Sequence, residues 1–247
     1  MRALVTGASS GIGADIARVL SKKGFEVVLV ARREDRLLKL ADELEGDAEI
    51  YCCDLSKADN CVELFEKYKD VDILINNAGF GIFGKFCDTE LERELSMIDV
   101  NITAMHILMK KFLCHFKARN RGYILNVASS AAFLPGPLMA SYYATKAYVL
   151  RLTQAVAKEL KTDKSDVYVG ALCPGPVDTE FNNVANVNFN IKSLTSKYVA
   201  QYAVGKMFKG KTVIVPGKII KLGVFFSRFV PQRLLLYISY NIQKNKS

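Results

Sequence analysis

The chain has 247 residues, of which 50% are hydrophobic and 24% are charged, with 16 glycines and 6 prolines. This length suits one α/β domain with a large core, and the composition excludes disordered, collagen-like and coiled-coil chains. No apolar run approaches the ~20 residues of a membrane span. The first residues form a strand-like run rather than a signal peptide, so we expect a soluble protein of the cytoplasm.

The six cysteines predict neither a disulfide framework nor a metal site. They stand at positions 52, 53, 61, 87, 114 and 173, and the chain has only two histidines. No pair has the spacing of metal ligands, and a cytosolic setting keeps thiols reduced. We therefore expect free, mostly buried thiols and no bound metal.

The positive charge is concentrated in the last quarter of the chain. Residues 181–247 contain eleven Lys or Arg and no Asp or Glu, whereas residues 1–180 carry 23 basic and 25 acidic side chains. The same quarter contains the apolar runs 222–226 and 234–238. A region both basic and apolar suits anionic lipid or another anionic amphiphile better than nucleic acid.

Short apolar segments alternate with helical patterns from the first residue onward. The predicted strands are 2–6, 25–31, 48–53, 71–76, 123–127, 168–173 and 212–216. The predicted helices are 12–22, 35–45, 58–68, 91–116 and 142–161. This alternation predicts an α/β fold: a three-layer, doubly wound parallel sheet (Rossmann fold) of about seven strands. We expect one domain, with residues 1–217 binding the dinucleotide and carrying catalysis, and residues 218–247 forming a basic, apolar, helical C-terminal extension.

A glycine-rich loop follows the first predicted strand and opens the first predicted helix. It reads Thr-Gly-Ala-Ser-Ser-Gly-Ile-Gly over residues 6–13. Glycines allow the backbone to approach a pyrophosphate, whose charge is then stabilised at the helix N-terminus. The loop predicts a dinucleotide site that includes Gly7, Ser9, Ser10, Gly11, Ile12 and Gly13.

The end of the second strand indicates which dinucleotide binds. Arg32 and Arg33 stand where an NAD enzyme usually places a carboxylate for the ribose 2′-hydroxyl. A guanidinium matches a 2′-phosphate in charge and in bidentate geometry, so we expect NADP(H). The alternative is a solvated pair of loop arginines.

Two further strand ends are expected at the same cleft. Asp54 and Leu55 follow the third strand, where the carboxylate either meets the adenine amino group or caps the next helix. Asn77, Ala78 and Gly79 follow the fourth strand, where small residues allow close approach of the adenine ribose, although a plain turn also explains them.

A tyrosine and a lysine carry the predicted chemistry. Tyr142 and Lys146 are four residues apart on a predicted helix and therefore share a face. A nearby ammonium favours the phenolate, so the pair predicts a proton donor and acceptor that acts near neutral pH. Tyr143 is the alternative phenol, but its partner four residues on is Ala147. Ser129, at the end of the fifth strand, is placed to hydrogen-bond the reacting oxygen.

These motifs resemble the short-chain dehydrogenase/reductase family over about residues 1–180. The matching segments, in the family's order, are residues 6–13, 77–79, Asn101, Ser129, Tyr142 with Lys146, and 174–179. The resemblance implies that Tyr142 is the general acid/base and that Lys146 lowers its pKa and binds the nicotinamide ribose. The thirteen-residue spacing to Tyr142 selects Ser129 over Ser130.

The resemblance also implies roles for residues outside this group. Asn101, on the long helix before the fifth strand, would hold a water in a proton relay from Lys146. Val177 and Thr179 would meet the nicotinamide carboxamide, and Pro174 and Gly175 belong to the same segment. Family members are dimers or tetramers built on the helices that contain Asn101 and Tyr142, so we expect a homodimer or homotetramer.

The segments expected to enclose the substrate are apolar. They contribute Phe80, Ile82, Phe83, Phe133, Leu134, Leu138, Met139 and Phe181. The prediction is therefore an NADPH-dependent oxidoreductase, a carbonyl reductase that reduces an apolar ketone or aldehyde by hydride transfer. One alternative is a catalytically silent NADP(H)-binding sensor or scaffold. The other is a 3-ketoacyl-thioester or hydroxysteroid reductase, which is implied by the resemblance of residues 133–138 to the corresponding segment of such enzymes. The extension 218–247 either packs over the pocket, forms a subunit contact, or makes peripheral contact with anionic lipid or an acyl carrier.

Overall fold

The computed structural model describes residues 1–181 and 193–244. Within these ranges the main sheet has seven parallel strands. They are β1 Arg2–Thr6, β2 Glu26–Ala31, β3 Ala48–Cys52, β4 Ile73–Asn76, β5 Tyr123–Val127, β6 Tyr168–Leu172 and β9 Val213–Ile214. Two short strands, β7 Val177–Asp178 and β8 Leu194–Thr195, form a separate parallel pair that the sequence patterns did not predict.

The order of the strands determines where a ligand can bind. The main sheet runs β3-β2-β1-β4-β5-β6-β9, so the chain winds outward from β1 in one direction and then from β4 in the other. Val5 of β1 lies opposite Leu29 of β2 and opposite Ile75 of β4. Such a reversal opens a crevice beyond the carboxyl ends of β1 and β4.

Helices cover both faces of the sheet. They are α1 Gly11–Ser21, α2 Glu34–Glu43, α3 Ala58–Tyr68, α4 Leu91–Ile98, α5 Met105–Ala118, α6 Ala140–Thr162, α7 Ser196–Met207, α8 Lys218–Phe226 and α9 Gln232–Lys244. One core joins the sheet to α1, α2 and α7, and the other joins it to α3, α5 and α6. The predicted α/β class, doubly wound sheet and single domain with a helical C-terminus are confirmed.

The predicted helix 91–116 is wrong in one respect. A π-helical turn, Asp99–Ala104, separates α4 from α5. A π turn contains one residue more than an α-helical turn, which changes the direction in which its side chains point. Asn101 lies in this turn and is buried.

The C-terminal extension consists of two helices. Helix α8 ends at Phe226, a short 3₁₀ turn covers Ser227–Phe229, and Val230 is extended before Pro231. A residue before proline avoids the helical region, which accounts for the break. Arg228 lies in the 3₁₀ turn that directly follows α8. Residues 245–247 of the predicted extension lie outside the described residues, and no described helix is long and apolar enough to cross a bilayer.

The cysteines are free, but they are not mostly buried. Cys61 and Cys173 are buried and Cys53 is half-buried, whereas Cys52, Cys87 and Cys114 are exposed. Cys52 is the last residue of the edge strand β3. Among the residues described here, no group of three His, Cys, Asp or Glu side chains could hold a metal ion.

Candidate active site

A cleft of about 610 Å³ opens at the carboxyl ends of the parallel strands. It brings together nearly all of the predicted site residues from separate parts of the chain. Those that line it are Gly7, Ser9, Ser10, Gly11, Ile12, Arg32, Arg33, Asp54, Leu55, Asn77, Ala78, Gly79, Ser129, Tyr142, Lys146, Pro174, Gly175, Val177 and Thr179. Gly13 and Asn101 do not line the cleft.

The glycine-rich loop needs its glycines for backbone geometry. Gly7 and Gly11 have φ angles of +65° and +54°, a region that favours glycine. A Cβ on Gly13 would lie 2.4 Å from the carbonyl oxygen of Gly7. Gly13 therefore allows α1 to pack tightly beneath the loop, and it does not itself line the cleft.

Thr6 and Asn77 connect the end of β4 to this loop through hydrogen bonds. Thr6 Oγ1 accepts hydrogen bonds from the backbone N–H groups of Asn77 and Ala78, at 2.9 and 3.0 Å. The Asn77 side chain donates to the carbonyl oxygens of Thr6 and Gly7. Asn77 acts by positioning the loop, and Thr6 shares this role although it was not among the predicted site residues.

Arg33 binds the serines of the loop. Its Nη2 lies 3.0 Å from Ser9 Oγ and 3.2 Å from Ser10 Oγ. Its Nη1 forms a 3.0 Å ion pair with Glu180, which also pairs with Arg36. Hydrogen bonds from Arg36 and Arg33 hold the pKa of Glu180 below its ordinary value.

Glu180 and Arg36 were missed by the sequence reasoning. Arg36 lies three residues after Arg33 at the start of α2, a spacing that places the two on one side of the helix. Glu180 lies 147 residues beyond Arg33 in the chain, so no local pattern relates them. Arg32 also lines the cleft, as predicted.

Asp54 makes a local contact at the end of β3. Its Oδ1 accepts a 3.0 Å hydrogen bond from the backbone N–H of Ser56. Burial opposes ionisation, but this bond and the charges of Arg32 and Lys57 keep the pKa of Asp54 below its ordinary value. Lys57, not Asp54, precedes the first residue of α3, so Asp54 stabilises the turn rather than capping the helix directly.

Ser129 and Tyr142 face each other across the other half of the cleft. Ser129 follows β5 and begins the 3₁₀ turn Ser130–Phe133, where its Oγ accepts a 3.1 Å hydrogen bond from Ala131 N–H. Burial raises the pKa of Tyr142, and a hydrogen bond with Ser129 opposes that rise. Ser130 lines the same cleft, but Ser129 is the serine that contacts the phenol.

Lys146 lies one turn after Tyr142 on α6. Its Nζ donates a 3.0 Å hydrogen bond to the carbonyl oxygen of Val127 and lies 5.8 Å from the centroid of the Tyr142 ring. Burial lowers the pKa of Lys146 to about 8. The expected lowering of the Tyr142 pKa by Lys146 is not seen: burial raises this pKa, and Lys146 is not among the groups that lower it.

Asn101 uses its side chain to hold neighbouring segments. Its Oδ1 accepts from Phe80 N–H at 3.1 Å, and its Nδ2 donates to Phe80 O at 2.9 Å and Thr145 Oγ1 at 3.0 Å. A Cβ on Gly79 would lie 2.6 Å from Oδ1. The side chain thus positions the loop after β4 against α6.

Apolar residues surround Tyr142 at the substrate end. Of the eight residues expected to enclose the substrate, Phe80, Met139 and Phe181 line the cleft. The other five, which do not line it, are Ile82, Phe83, Phe133, Leu134 and Leu138.

The second tyrosine of the predicted helix contacts the C-terminal helix. Burial raises the pKa of Tyr143 to about 12, and its hydroxyl accepts a hydrogen bond from Gln243 of α9. Sequence reasoning missed Gln243, because no local pattern relates it to a residue 100 positions earlier.

Comparison with known proteins agrees with this arrangement. The family described as short chain dehydrogenase matches residues 1–189. An uncharacterized oxidoreductase of Staphylococcus epidermidis is 38% identical over 181 residues, covering 72% of this chain and 78% of its own.

Solved structures of similar proteins superpose well. A short-chain dehydrogenase from Sphingobium yanoikuyae in complex with NADPH is 31% identical, with a TM-score of 0.81 and coverage of 88% of each chain. A bulky-bulky ketone specific alcohol dehydrogenase from Comamonas testosteroni is 28% identical, with a TM-score of 0.79, and covers 92% of this chain and 91% of its own.

Proposed function

The chain belongs to the short-chain dehydrogenase/reductase family and is an oxidoreductase, and from this we propose that it reduces an apolar ketone or aldehyde with NADPH. The observation that carries the proposal is that one cleft has catalytic side chains at one end and a basic, hydroxyl-rich group at the other. Ser129, Tyr142 and Lys146 lie at one end, among apolar side chains. Arg33 lies with Ser9 and Ser10 at the other end.

The residues of the cleft fit a phosphorylated dinucleotide. Its volume is within the range of about 300–1,000 Å³ typical of ligand sites. The first N–H groups of α1 have no partner within the helix, and the first turn contains no acidic residue. Positive-φ glycines bring this backbone to the floor of the cleft, where it would hold the pyrophosphate. When bound, the nicotinamide supplies the hydride.

The preference for NADP(H) over NAD(H) rests on Arg33. Its guanidinium and the hydroxyls of Ser9 and Ser10 converge at the end of β2 and would hold the 2′-phosphate. Arg32, beside it, adds positive charge at the same end of the cleft. The NADPH complex of the relative from Sphingobium yanoikuyae supports this choice.

Tyr142 holds the proton that the carbonyl oxygen receives. A phenol is protonated at neutral pH, which is the state that reduction requires, and burial raises the pKa of Tyr142 further. Ser129 orients the oxygen, and Lys146 would bind the nicotinamide ribose. Asn101 positions the loop through Phe80 and α6 through Thr145.

The substrate is a carbonyl compound with an apolar body. Phe80, Met139 and Phe181 surround the phenol, and the ring of Phe181 lies 5.3 Å from that of Tyr142. The relative from Comamonas testosteroni, described as specific for bulky-bulky ketones, supports a ketone as the reacting group. A 3-ketoacyl thioester or a hydroxysteroid reductase would share the same chemistry.

The alternative function, a catalytically silent sensor or scaffold, has less support. Such a protein would be free to lose its catalytic groups, whereas Ser129, Tyr142, Lys146 and Asn101 are all present and brought together. A homodimer or homotetramer and a cytoplasmic location remain predictions.

The experiment is NADPH consumption by the purified protein across a graded series of carbonyl compounds. The series runs from short ketones and aldehydes to steroids and 3-ketoacyl thioesters, with NADH in parallel. We expect rates that rise with apolar size and are higher with NADPH. Tight NADPH binding without turnover on any compound would instead support the sensor.

A further inference from the structure

The last helix of the described chain has an inverted distribution of polar and apolar residues. The buried residues of α9 are polar, Ser239 and Gln243. Its exposed large residues are Leu234, Leu236, Tyr237, Ile238, Tyr240 and Ile242. A helix that only covered the domain would bury its apolar face instead.

The preceding segment is also rich in exposed apolar side chains. Helix α8 contains no buried residue. Ile219 is 84% exposed and Phe229 is 71% exposed, and Leu222, Phe225 and Phe226 are also exposed. The Phe225 ring packs at 5.4 Å against Phe226 and at 5.5 Å against Phe229. A contiguous apolar patch of this kind marks an interaction surface.

Specific contacts fix this surface relative to the cleft. Ser239 Oγ donates a 2.6 Å hydrogen bond to the carbonyl oxygen of Pro135, and Gln243 donates to the hydroxyl of Tyr143. On α8, Ile220 lies against Gly175, where a Cβ would be 2.7 Å from Ile220 Cγ1. Tyr143 and Gly175 both line the cleft. The apolar surface is therefore held beside the mouth of the active site.

Basic side chains accompany the apolar ones. Lys218, Lys221, Arg228 and Arg233 lie in these helices and the turn between them, and no salt bridge within the described residues involves them. The sequence from residue 181 onward contains no Asp or Glu. A partner that suits this surface is both apolar and anionic.

We propose that residues 218–244 dock on the surface of an anionic lipid bilayer, with the apolar side chains entering the interface and the basic ones at the level of the phosphates. Amphipathic helices of this composition lie in the plane of a membrane. A second copy of the chain fits less well, because it would bring two basic surfaces together. The proposal does not depend on the reaction that the cleft carries out.

Vesicle flotation of the full chain tests the proposal. The vesicles are phosphatidylcholine alone, or phosphatidylcholine mixed with phosphatidylglycerol. We expect binding to the mixed vesicles, weakened by high salt, and little binding to the neutral ones. A variant with Lys218→Gln, Lys221→Gln, Arg228→Gln and Arg233→Gln should lose about tenfold or more in the partition coefficient.

A matched control variant removes the same number of positive charges from a different part of the surface. It carries Lys23→Gln, Lys39→Gln, Lys158→Gln and Lys161→Gln, all at exposed positions. A second test variant, with Phe225→Gln and Phe229→Gln, keeps the charge and removes apolar surface. Circular dichroism melts verify that each variant is folded.

The control should bind vesicles like the natural chain, and both test variants should bind less. Equal losses in the control and the charge variant would overturn the proposal, because binding would then depend on net charge alone. The proposal would also be overturned if the natural chain did not bind mixed vesicles. If the chain then formed a dimer that dissociates when Phe225 and Phe229 are replaced, the surface would be assigned to a second copy of the chain.

Discussion

Arg33 donates from both Nε and Nη2 to the hydroxyl of Ser9, at 3.3 and 3.0 Å. This contact joins the end of β2 to the glycine-rich loop that precedes α1, two segments that the sheet topology places side by side. A guanidinium and a serine hydroxyl at this point provide donors for a phosphate monoester. The proposed choice of cofactor therefore depends on this pair.

Arg33→Ala should weaken NADPH binding more than NADH binding. The variant removes a charge-assisted contact, which corresponds to an increase of about tenfold or more in the Kd for NADPH. The Kd for NADH should change by less than about threefold. Isothermal titration calorimetry measures both values, and Arg32→Ala provides the neighbouring comparison. A parallel loss of both cofactors would mean that Arg33 supports the loop rather than the 2′-phosphate.

Glu180→Gln should have the opposite effect. Glu180 pairs with Arg33 and Arg36, so its carboxylate competes with a phosphate for the same guanidinium groups. Because the groups are partly exposed, we expect the Kd for NADPH to fall by only about twofold to fivefold. NADH binding should be unchanged in the same titration. Weaker NADPH binding by the variant would exclude competition by this carboxylate.

Lys146→Met tests the cost of burying the ammonium. The pKa of Lys146 is lowered to about 8 in the folded chain, so between pH 8 and its ordinary value of 10.5 the unfolded chain binds more protons than the folded chain. Burial of the charged ammonium lowers the free energy of unfolding of the natural chain by its full amount below pH 8. This destabilisation decreases as the pH rises toward 10.5. The stability gained by Lys146→Met should therefore decrease by about 2 kcal/mol between pH 7 and pH 9.5.

Urea unfolding of both proteins at the two pH values gives this difference. Taking the difference between proteins cancels titrating groups that do not interact with Lys146, such as the thiols of Cys53 and Cys61, whose pKa values are raised. A stability difference that does not change with pH would contradict a lowered pKa at Lys146.

Gly13→Ala should destabilise the fold, since its Cβ would lie 2.4 Å from the backbone oxygen of Gly7. We expect a loss of about 1–3 kcal/mol in the free energy of unfolding. Gly205→Ala is the matched control, because Gly205 lies within α7 and a Cβ there meets nothing within 4 Å. That change should stabilise the chain by about 0.5–1 kcal/mol. Equal effects in thermal melts would mean that the loop can shift to accommodate the methyl group.

The periodic segments of the sequence predicted the sheet and most helices, because buried parallel strands and amphipathic helices have distinct patterns. The cleft was also predictable, since the carboxyl ends of parallel strands meet at one edge. What local patterns could not show was contact between distant segments. The Glu180 pair with Arg33 and the Gln243 contact with Tyr143 depend on tertiary packing, as does the burial that raises the pKa of Tyr142.

The π-helical turn at Asn101 was not predicted from the sequence, for a different reason. Residues 91–116 have a continuous helical pattern, and the widened turn inside it leaves no signal in composition. Only the three-dimensional contacts of Asn101 with Phe80 and Thr145 reveal its positioning role.

The central claim is that Tyr142 donates the proton in an NADPH-dependent reduction. The most direct test measures NADPH oxidation with an apolar ketone by the natural chain and by Tyr142→Phe, with the Kd for NADPH determined on both. Phenylalanine preserves the ring that packs against Phe181, so the fold and cofactor binding should persist. We predict that kcat/KM falls by about a hundredfold or more while the Kd changes by less than about threefold. Undiminished turnover by Tyr142→Phe would contradict the account.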